Sequence, residues 1–590
     1  MARRKSRTPR TDLPSELHSK DYYGYRALGN HQTLESFNVE GLPIVNHILQ
    51  RMDLKTFLDA YLPPADNRNK LATSTALLLL VRNVVMSRQP LYGVGEWAER
   101  FAPPLLGLRC LDQLEHLNDD RIGRALDKLF DVDIPQMILA VMQHVVREFA
   151  LQLDEFHNDA TTVSFFGEYE DAQEEKRCRG RKRIAINRGH SKARRPDLKQ
   201  LLFCLTITND GGIPVHYAVD NGNVSEQDLH SKNWTFLKEL AGNADFLYIA
   251  DCKLATVQNM EFIDRQKGRF ITVLPATRKE EHEFRERLLK NPDAIEWDLL
   301  YETFDEHQQL EKRIFLCKDS ALSAEGYRIL WGLNTQKREH DIHMRTRQIN
   351  RAIKQLLKLR DKLYSPKTRY RDRAKVAAAV DQILKTYTVE RWITVEIHEK
   401  KEEKYQADKR GRPTKDTKFT KKTLSRFNIT YTIDAARLAE DDKTAGVFSL
   451  ISNVKNMSDE DIIRAYGRQP LVEKRFKHLK TDYQVAPVFL KETTRIQSFL
   501  CIYFLGLLVQ ALLEREIRQA MQTRYKAIPL YPEDRDCKAP SSRRLLDSFE
   551  GVQMHLLSQG RETQTFFTEL SPLQRTILQL LRIPGGDYGF

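Results

Sequence analysis

Leu201-Leu-Phe-Cys-Leu-Thr-Ile-Thr-Asn209-Asp-Gly-Gly-Ile213-Pro-Val-His-Tyr-Ala-Val219 holds two runs rich in β-branched and aromatic residues around an Asn-Asp-Gly-Gly turn. Such runs favour the pleated strand, and Asn, Asp and Gly tolerate the positive φ of a tight connection, so a β-hairpin is expected. Upstream, residues 153–158 alternate in polarity and meet Asp159-Ala-Thr-Thr-Val, which reads as a strand closed by Asp159. Downstream the pattern switches. A helix is expected over 227–240, then the short apolar strand Phe246-Leu-Tyr-Ile-Ala ending at Asp251. A second helix over 254–265 and the strand Phe270-Ile-Thr-Val-Leu, stopped by Pro275, complete the series. Strand, hairpin, helix, strand, helix, strand is the order of an α/β fold with a mixed sheet.

On the amino-terminal side, residues 39–148 read as helical. Thr73-Ser-Thr opens a continuous apolar segment, as in a buried helix with Ser/Thr cap candidates. Asn118-Asp-Asp precedes apolar residues Ile122, Ala125, Leu126 and Leu129, where the acidic pair suits a helix N-terminus better than a metal. The helices fit a plain bundle or one holding a helix-turn-helix. Residues 1–38, basic and then polar, are expected to form an arm. On the carboxyl side, 276–445 interrupts the sheet pattern with a charged helix over 341–363, another over 373–385 and β-rich segments at 392–397 and 429–433, an α+β insertion. Strand character resumes at Gly446-Val-Phe-Ser-Leu-Ile-Ser, followed by a helix over 459–479 and an apolar helix over 495–517. The sheet domain is thus expected over 149–275 and 446–518, and the last residues, 519–590, as a helical tail.

The 590 residues carry 94 Lys+Arg against 81 Asp+Glu, a formal charge of +13, and the cations are clustered, which favours a polyanionic partner. With 41% hydrophobic and 30% charged residues the chain has the composition of a globular protein. The longest apolar run, 498–513, is shorter than a membrane span and contains Gln510, so it is expected in the core. Seven scattered cysteines with no Cys-x-x-Cys pair argue against a disulfide framework or structural zinc, and place the expected compartment in the cytoplasm. No phosphate-binding Gly-x4-Gly-Lys-[Ser/Thr] loop occurs, so no nucleotide cofactor is expected.

Carboxylates at strand ends can converge above a sheet with one from a flanking helix. Asp159 and Asp251 are such strand-end residues, and Glu473 lies on a helix past the insertion. Three ionised carboxylates repel unless cations relieve them. Two Mg²⁺ ions about 3.5–4 Å apart would do so and would activate a water or 3′-hydroxyl against a phosphodiester. Around Glu473 the chain reads Tyr466-Gly-Arg-Gln-Pro-Leu-Val-Glu473-Lys-Arg-Phe-Lys-His-Leu-Lys480. On one helix Tyr466, Glu473 and Lys480 recur every seven residues and share a face, with Arg468 round the side. That face suits a metal ligand beside a DNA phosphate, or a solvated row of ion pairs.

This segment resembles the signature of the DDE transposases of bacterial insertion sequences, in the group marked Tyr-x2-Arg-x3-Glu-x6-Lys. Pro90-Leu-Tyr-Gly-Val-Gly-Glu-Trp and Asn118-Asp-Asp-Arg-Ile-Gly-Arg-Ala-Leu-Asp are similar to the amino-terminal domain of one branch, for which DNA-end binding is the implied role. Asp159-Ala-Thr-Thr, Gly189-His-Ser-Lys, Gly222-Asn-Val-Ser and Ala250-Asp251 resemble its catalytic landmarks. The resemblance implies a ribonuclease-H-like domain with Asp159, Asp251 and Glu473 as catalytic metal ligands, Mg²⁺ (or Mn²⁺) as cofactor, and double-stranded DNA as substrate. It also implies a homodimer on paired DNA ends. Tyr466 and Lys480, for which the resemblance implies contacts to the DNA backbone, match in register; Arg468, the candidate for a like phosphate contact, stands one residue early, where the pattern puts arginine at Gln469. The implied activity is cleavage at element ends and strand transfer, against which stand a nuclease that does not join ends and a catalytically silent DNA-binding descendant.

Ten of the twenty residues 176–195 are Lys or Arg, and Lys182, Arg183, Lys192, Arg194 and Arg195 are candidates for tracking the DNA backbone. Arg410 and Arg412, in Lys409-Arg-Gly-Arg-Pro413, resemble a minor-groove hook, or serve a linker turn.

Overall fold

A computed structural model describes residues 26–27, 32–64, 70–109, 111–166, 169, 176–178, 180–189, 195, 197–223, 229–304, 309–319, 321–365, 367–407, 418–482, 490–525, 527–559 and 562–589. The arm cations before residue 26, together with Lys192, Arg194, Arg410 and Arg412, lie outside them, as does the side chain of Lys182. The chain forms two compact units, one of residues 1–271 with 464–590 and one of 272–463. The sequence pattern had placed the interruption at 276–445.

In the first unit a mixed sheet is built from β1 (Glu155–Phe165), β2 (Lys199–Thr208), β3 (Pro214–Asn221), β4 (Leu247–Ala250) and β5 (Arg269–Val273), where the chain passes to the second unit. The order is β5-β4-β1-β2-β3. β1 and β2 pair antiparallel, as do β2 and β3 through the Asn-Asp-Gly-Gly turn, whereas β1 and β4 run parallel. Gly211 and Gly212 of that turn both have positive φ, 79° and 63°, where a Cβ would be strained. Asp159 does not close its strand. β1 runs on to Phe165 because Thr161, Thr162 and Val163 stay paired with Leu201–Phe203 of β2.

Helices α1 (Thr73–Met86), α2 (Asp119–Phe130), α3 (Ile134–Glu148), α4 (His230–Ala241) and α5 (Val257–Arg265) belong to the same unit. The helices of 39–148 are therefore part of the sheet's own compact unit. α1 is buried along its length, but its N-cap is Ala72, which has no capping side chain. α2 carries Asp119 and Asp120 in its first turn, but its cap is Asn118, whose side chain accepts from the backbone N–H of Arg121, 2.8 Å away. The chain returns to the first unit within α6 (Asp459–Tyr466), and α7 (Pro470–Lys477) and α8 (Thr493–Arg524) follow. α8 packs on α1, α2 and β3, and its Phe504 ring stacks on Tyr217 of β3 at 4.8 Å. By length and composition α8 is apolar enough to cross a membrane, and 89% of its most apolar window is buried inside the unit.

Two terminal expectations are corrected. Residues 32–38 are not an arm: Gln32–Asn38 is a strand paired along its length with Gln553–Gln559, which also pairs with Glu562–Phe567. The carboxyl-terminal residues thus hold strands as well as helices, including Ser542–Asp547 and Pro572–Leu580. Partners more than 500 residues apart leave little local trace, which is why residue type alone read them as polar chain.

In the second unit, strands Trp297–Phe304, Leu310–Cys317, Arg328–Asn334 and Val447–Ser452 pair antiparallel in that order. Thr335–Tyr364 and Arg373–Tyr387 are its long helices, and Ile393–Ala407 with Phe419–Ile433 forms a fifteen-pair ribbon. Leu356, Leu359, Val376, Val380, Ile393 and Phe427 join the helices to the base of the ribbon in one apolar cluster.

Candidate active site

The parallel ladder of β1 and β4 pairs His157 with Ile249 and Asn158 with Ala250. The next residue on each strand is an aspartate: Asp159, still inside β1, and Asp251, immediately past β4. Adjoining strands lie about 4.8 Å apart, so register makes these two carboxylates lateral neighbours. Each is oriented by local backbone, since Asp159 Oδ1 accepts from the N–H of Ala160 at 2.7 Å and Asp251 Oδ1 from that of Lys253 at 3.0 Å.

Residues 459–479 are not one helix. α6 ends at Tyr466, and Arg468, Gln469, Leu471 and Val472 donate backbone bonds to the residue three before, a tighter winding, until α7 starts at Pro470. Proline lacks an N–H and suits the first helical position, so the restart falls there. α7 runs into a wide π turn, His478–Asp482, where Lys480 is exposed. The shared face expected for Tyr466, Glu473 and Lys480 therefore does not exist as a helical stripe. Tyr466 nevertheless lies within reach of the charges of all three acids. Its hydroxyl pKa is raised, by burial first and then by the charges of Asp251, Cys252, Asp159 and Glu473. Glu473 is exposed on α7, which packs against β1.

Two interactions fasten the α6–α7 turn to the strand bearing Asp159. Arg468 forks onto Glu155, with Nε 2.7 Å from Oε1 and Nη2 2.5 Å from Oε2. Gln469 donates through Nε2 to the carbonyl of Asn158 at 2.8 Å, and its Oε1 lies 2.9 Å from Nδ1 of His157. His157 Nε2 is 2.8 Å from Glu155 Oε1. Burial alone would raise the Glu155 pKa, but the bonds from His157 and Arg468 bring it below the ordinary value. Arg468, a candidate for the DNA backbone, is thus paired with Glu155 in this structure. Glu155, His157 and Gln469 escaped sequence reasoning. So did His230 of α4, whose Nδ1 lies 3.0 Å from the Tyr248 hydroxyl. Burial lowers the His230 pKa to about 4 against the opposing pull of Asp251.

From behind, α7 is held by Arg475, which donates to the Gly212 and Gly211 carbonyls at 2.9 and 3.0 Å and to Glu514 of α8 at 3.0 Å. Of the basic candidates, Arg183 ends the short strand Arg181–Arg183, which pairs with Lys176–Cys178. Arg195 forks onto Asp197 at 2.8 and 2.7 Å, an exposed pair open to exchange with a phosphate.

The trio offers only carboxylate oxygens, the donors preferred by hard divalent cations. Among the described residues no three His, Cys, Asp or Glu side chains stand close enough to form a ready metal cage. Carboxylate oxygens suit Mg²⁺ as donors, and the strand register makes Asp159 and Asp251 the adjacent pair.

A family model described as a domain of unknown function, DUF4277, matches residues 34–143. No curated protein matches. A solved structure titled as the piggyBac transposase synaptic complex with hairpin DNA overlaps 50% of this chain at 11% identity with a TM-score of 0.22, and the overlap spans 59% of that chain. A likeness that slight bears on neither fold nor activity.

Proposed function

We propose that this chain is a DNA transposase of the insertion-sequence DDE type, acting on double-stranded DNA as a homodimer through a ribonuclease-H-like domain. The observation that carries the reading is the register of β1 and β4, which sets Asp159 beside Asp251, in a field around Tyr466 that also includes Glu473. The sheet order β5-β4-β1-β2-β3, antiparallel on one side of β1 and parallel on the other, is consistent with the fold. In this reading Asp159, Asp251 and Glu473 would hold two Mg²⁺ ions, or Mn²⁺ in their place, which would supply Lewis-acid polarisation of the phosphodiester and a more acidic attacking hydroxyl. Tyr466, beside the acids, and Lys480, exposed past α7, meet the DNA backbone without reading sequence. Arg183 and Arg195 add a salt-sensitive share of DNA affinity.

The test uses the purified chain, Mg²⁺ and duplex DNA carrying the boundaries of the element that encodes it. Cleaved ends and joined products are expected from the wild type. Asp159→Asn, Asp251→Asn and Glu473→Gln should each fall to background while DNA binding persists. Undiminished cleavage by Asp159→Asn would refute the reading. Cleavage without joining of pre-cut ends would favour the nuclease, and DNA binding without cleavage by the wild type the silent descendant.

A further inference from the structure

The α6–α7 turn touches β1 at Glu155, His157 and Asn158, the last of them just before Asp159. Alternation along a strand puts Glu155, His157 and Asp159 on one face. Arg468 takes the first of these, Gln469 the second, and Gln469 also takes the carbonyl of Asn158, the atom group bonded directly to the Asp159 nitrogen. Gln469 lies four residues, about one helical turn, before Glu473. One side chain therefore bridges the backbone on which the first carboxylate sits and the first turn of the helix on which the third sits. The strand side of these contacts is buried, with His157 and Glu155 side chains 0% and 7% exposed, while Arg468 is 36% exposed. Two faces of the Arg468 fork are already spent on Glu155, so its guanidinium is built into the protein at the place where a phosphate contact was expected.

We propose that Arg468 and Gln469 are positioning residues: by clamping residues 155–158 they set Glu473 against Asp159, so that divalent-cation affinity, and not DNA affinity, depends on them. The proposal rests on the reading of the carboxylates as cation ligands. Because the acids do not form a closed cage by themselves, the spacing of α7 from β1 decides how much rearrangement cation binding requires. A lysine at 468 keeps the charge but loses the fork. An asparagine at 469 is one methylene too short to hold both His157 and the Asn158 carbonyl.

The experiment titrates the full-length chain with Mn²⁺ in the absence of DNA, following free Mn²⁺ by electron paramagnetic resonance. DNA affinity is measured separately in EDTA, and thermal unfolding checks the fold. The wild type should bind Mn²⁺ and Asp159→Asn should not. Arg468→Lys and Gln469→Asn should each weaken half-saturation about tenfold, the usual scale for residues supporting metal ligands. The surface control Arg265→Ala should bind as the wild type does, and duplex affinity in EDTA should stay within about twofold for all. Glu155→Gln combined with Arg468→Lys should be no worse than Arg468→Lys alone, since the two act as one unit. Wild-type Mn²⁺ binding by both Arg468→Lys and Gln469→Asn overturns the proposal, as does weakened DNA binding with Mn²⁺ binding intact. If Arg468→Lys does not fold, Gln469→Asn decides. A wild type without an Asp159-dependent Mn²⁺ site overturns the cation reading and this inference together, an outcome distinct from the others.

Discussion

Glu514→Gln should cost roughly 3–4 kcal/mol of stability at neutral pH, and the loss should shrink in acid. Glu514 lies in the middle of α8 with its side chain fully buried. Its Oε2 accepts from Arg475 at 3.0 Å and faces Lys474 and Arg518 at 3.4 Å, while Oε1 accepts from the N–H of Ser542 at 3.1 Å. Burial would raise its pKa, but Arg475, Lys474, Arg518 and His478 together hold it at about 2, against an ordinary 4.5. At ~1.4 kcal/mol per pH unit that gap is worth roughly 3 kcal/mol. The glutamine also leaves Arg475 buried without its counter-charge, the situation in which breaking one partner of a buried pair costs about 3–5 kcal/mol.

The sign follows from the depressed value. The contribution is fully present above about pH 4.5 and is lost as the pH falls from there toward about 2. Near pH 3 the unfolded chain has taken up the proton and the folded one has not, so only about a third to a half of the term survives. Urea unfolding followed by tryptophan fluorescence, at pH 7.5 and pH 3, measures both quantities without screening the charges. The difference between wild type and variant should be about 3–4 kcal/mol at the higher pH and smaller by roughly 2 at the lower. A difference below about 1 kcal/mol at pH 7.5, or one unchanged by acid, would refute the electrostatic account of how α7 is anchored.

Two further outcomes test the packing that carries the site. Leu508→Ala, at a fully buried position of α8, should destabilise by about 2–5 kcal/mol in the same urea assay, with cavity formation as the cause. Asn118→Ala removes the side-chain acceptor at the start of α2 and should cost about 1 kcal/mol, whereas Asn118→Asp or Asn118→Ser should cost little, as read by thermal unfolding.

The hairpin at 199–221 was legible because its signals are local: β-branched runs and a turn whose glycines are needed where they stand. The start of α2 at Asn118-Asp-Asp was legible for the same reason, although the capping side chain is Asn118 and not the acidic pair. Asp159 and Asp251 could be named, but their adjacency needed the parallel register, which no local pattern encodes. The strand Gln32–Asn38 was missed because the partner that covers its full length lies beyond residue 550, while the local one, Arg26–Ala27, is only two residues long. The break between α6 and α7 was within reach, since Pro470 marks a helix start, yet the seven-residue spacing of Tyr466, Glu473 and Lys480 outweighed it. Glu155 and His157 were invisible as a pair of interest because their meaning comes from residues more than 300 positions away.

That break also explains why arginine one residue off the expected register is compatible with a built site. Successive residues of a straight helix leave it about 100° apart and rise 1.5 Å each, so Arg468 and Gln469 could not both address one face of β1 from such a helix. In the tight turn they do so side by side, Arg468 on Glu155 and Gln469 on His157 and Asn158. Pro470 then starts α7 with Glu473 on its first turn, and Arg475, two residues on, secures the helix to Gly211, Gly212 and Glu514. The third carboxylate is consequently held at both ends of a short helix, to the strand of the first carboxylate on one side and to the core helix on the other. A displacement of α7 has to break a buried ion pair or a buried hydrogen-bond network before Glu473 can move away from β1, and this gives an exposed glutamate a fixed address.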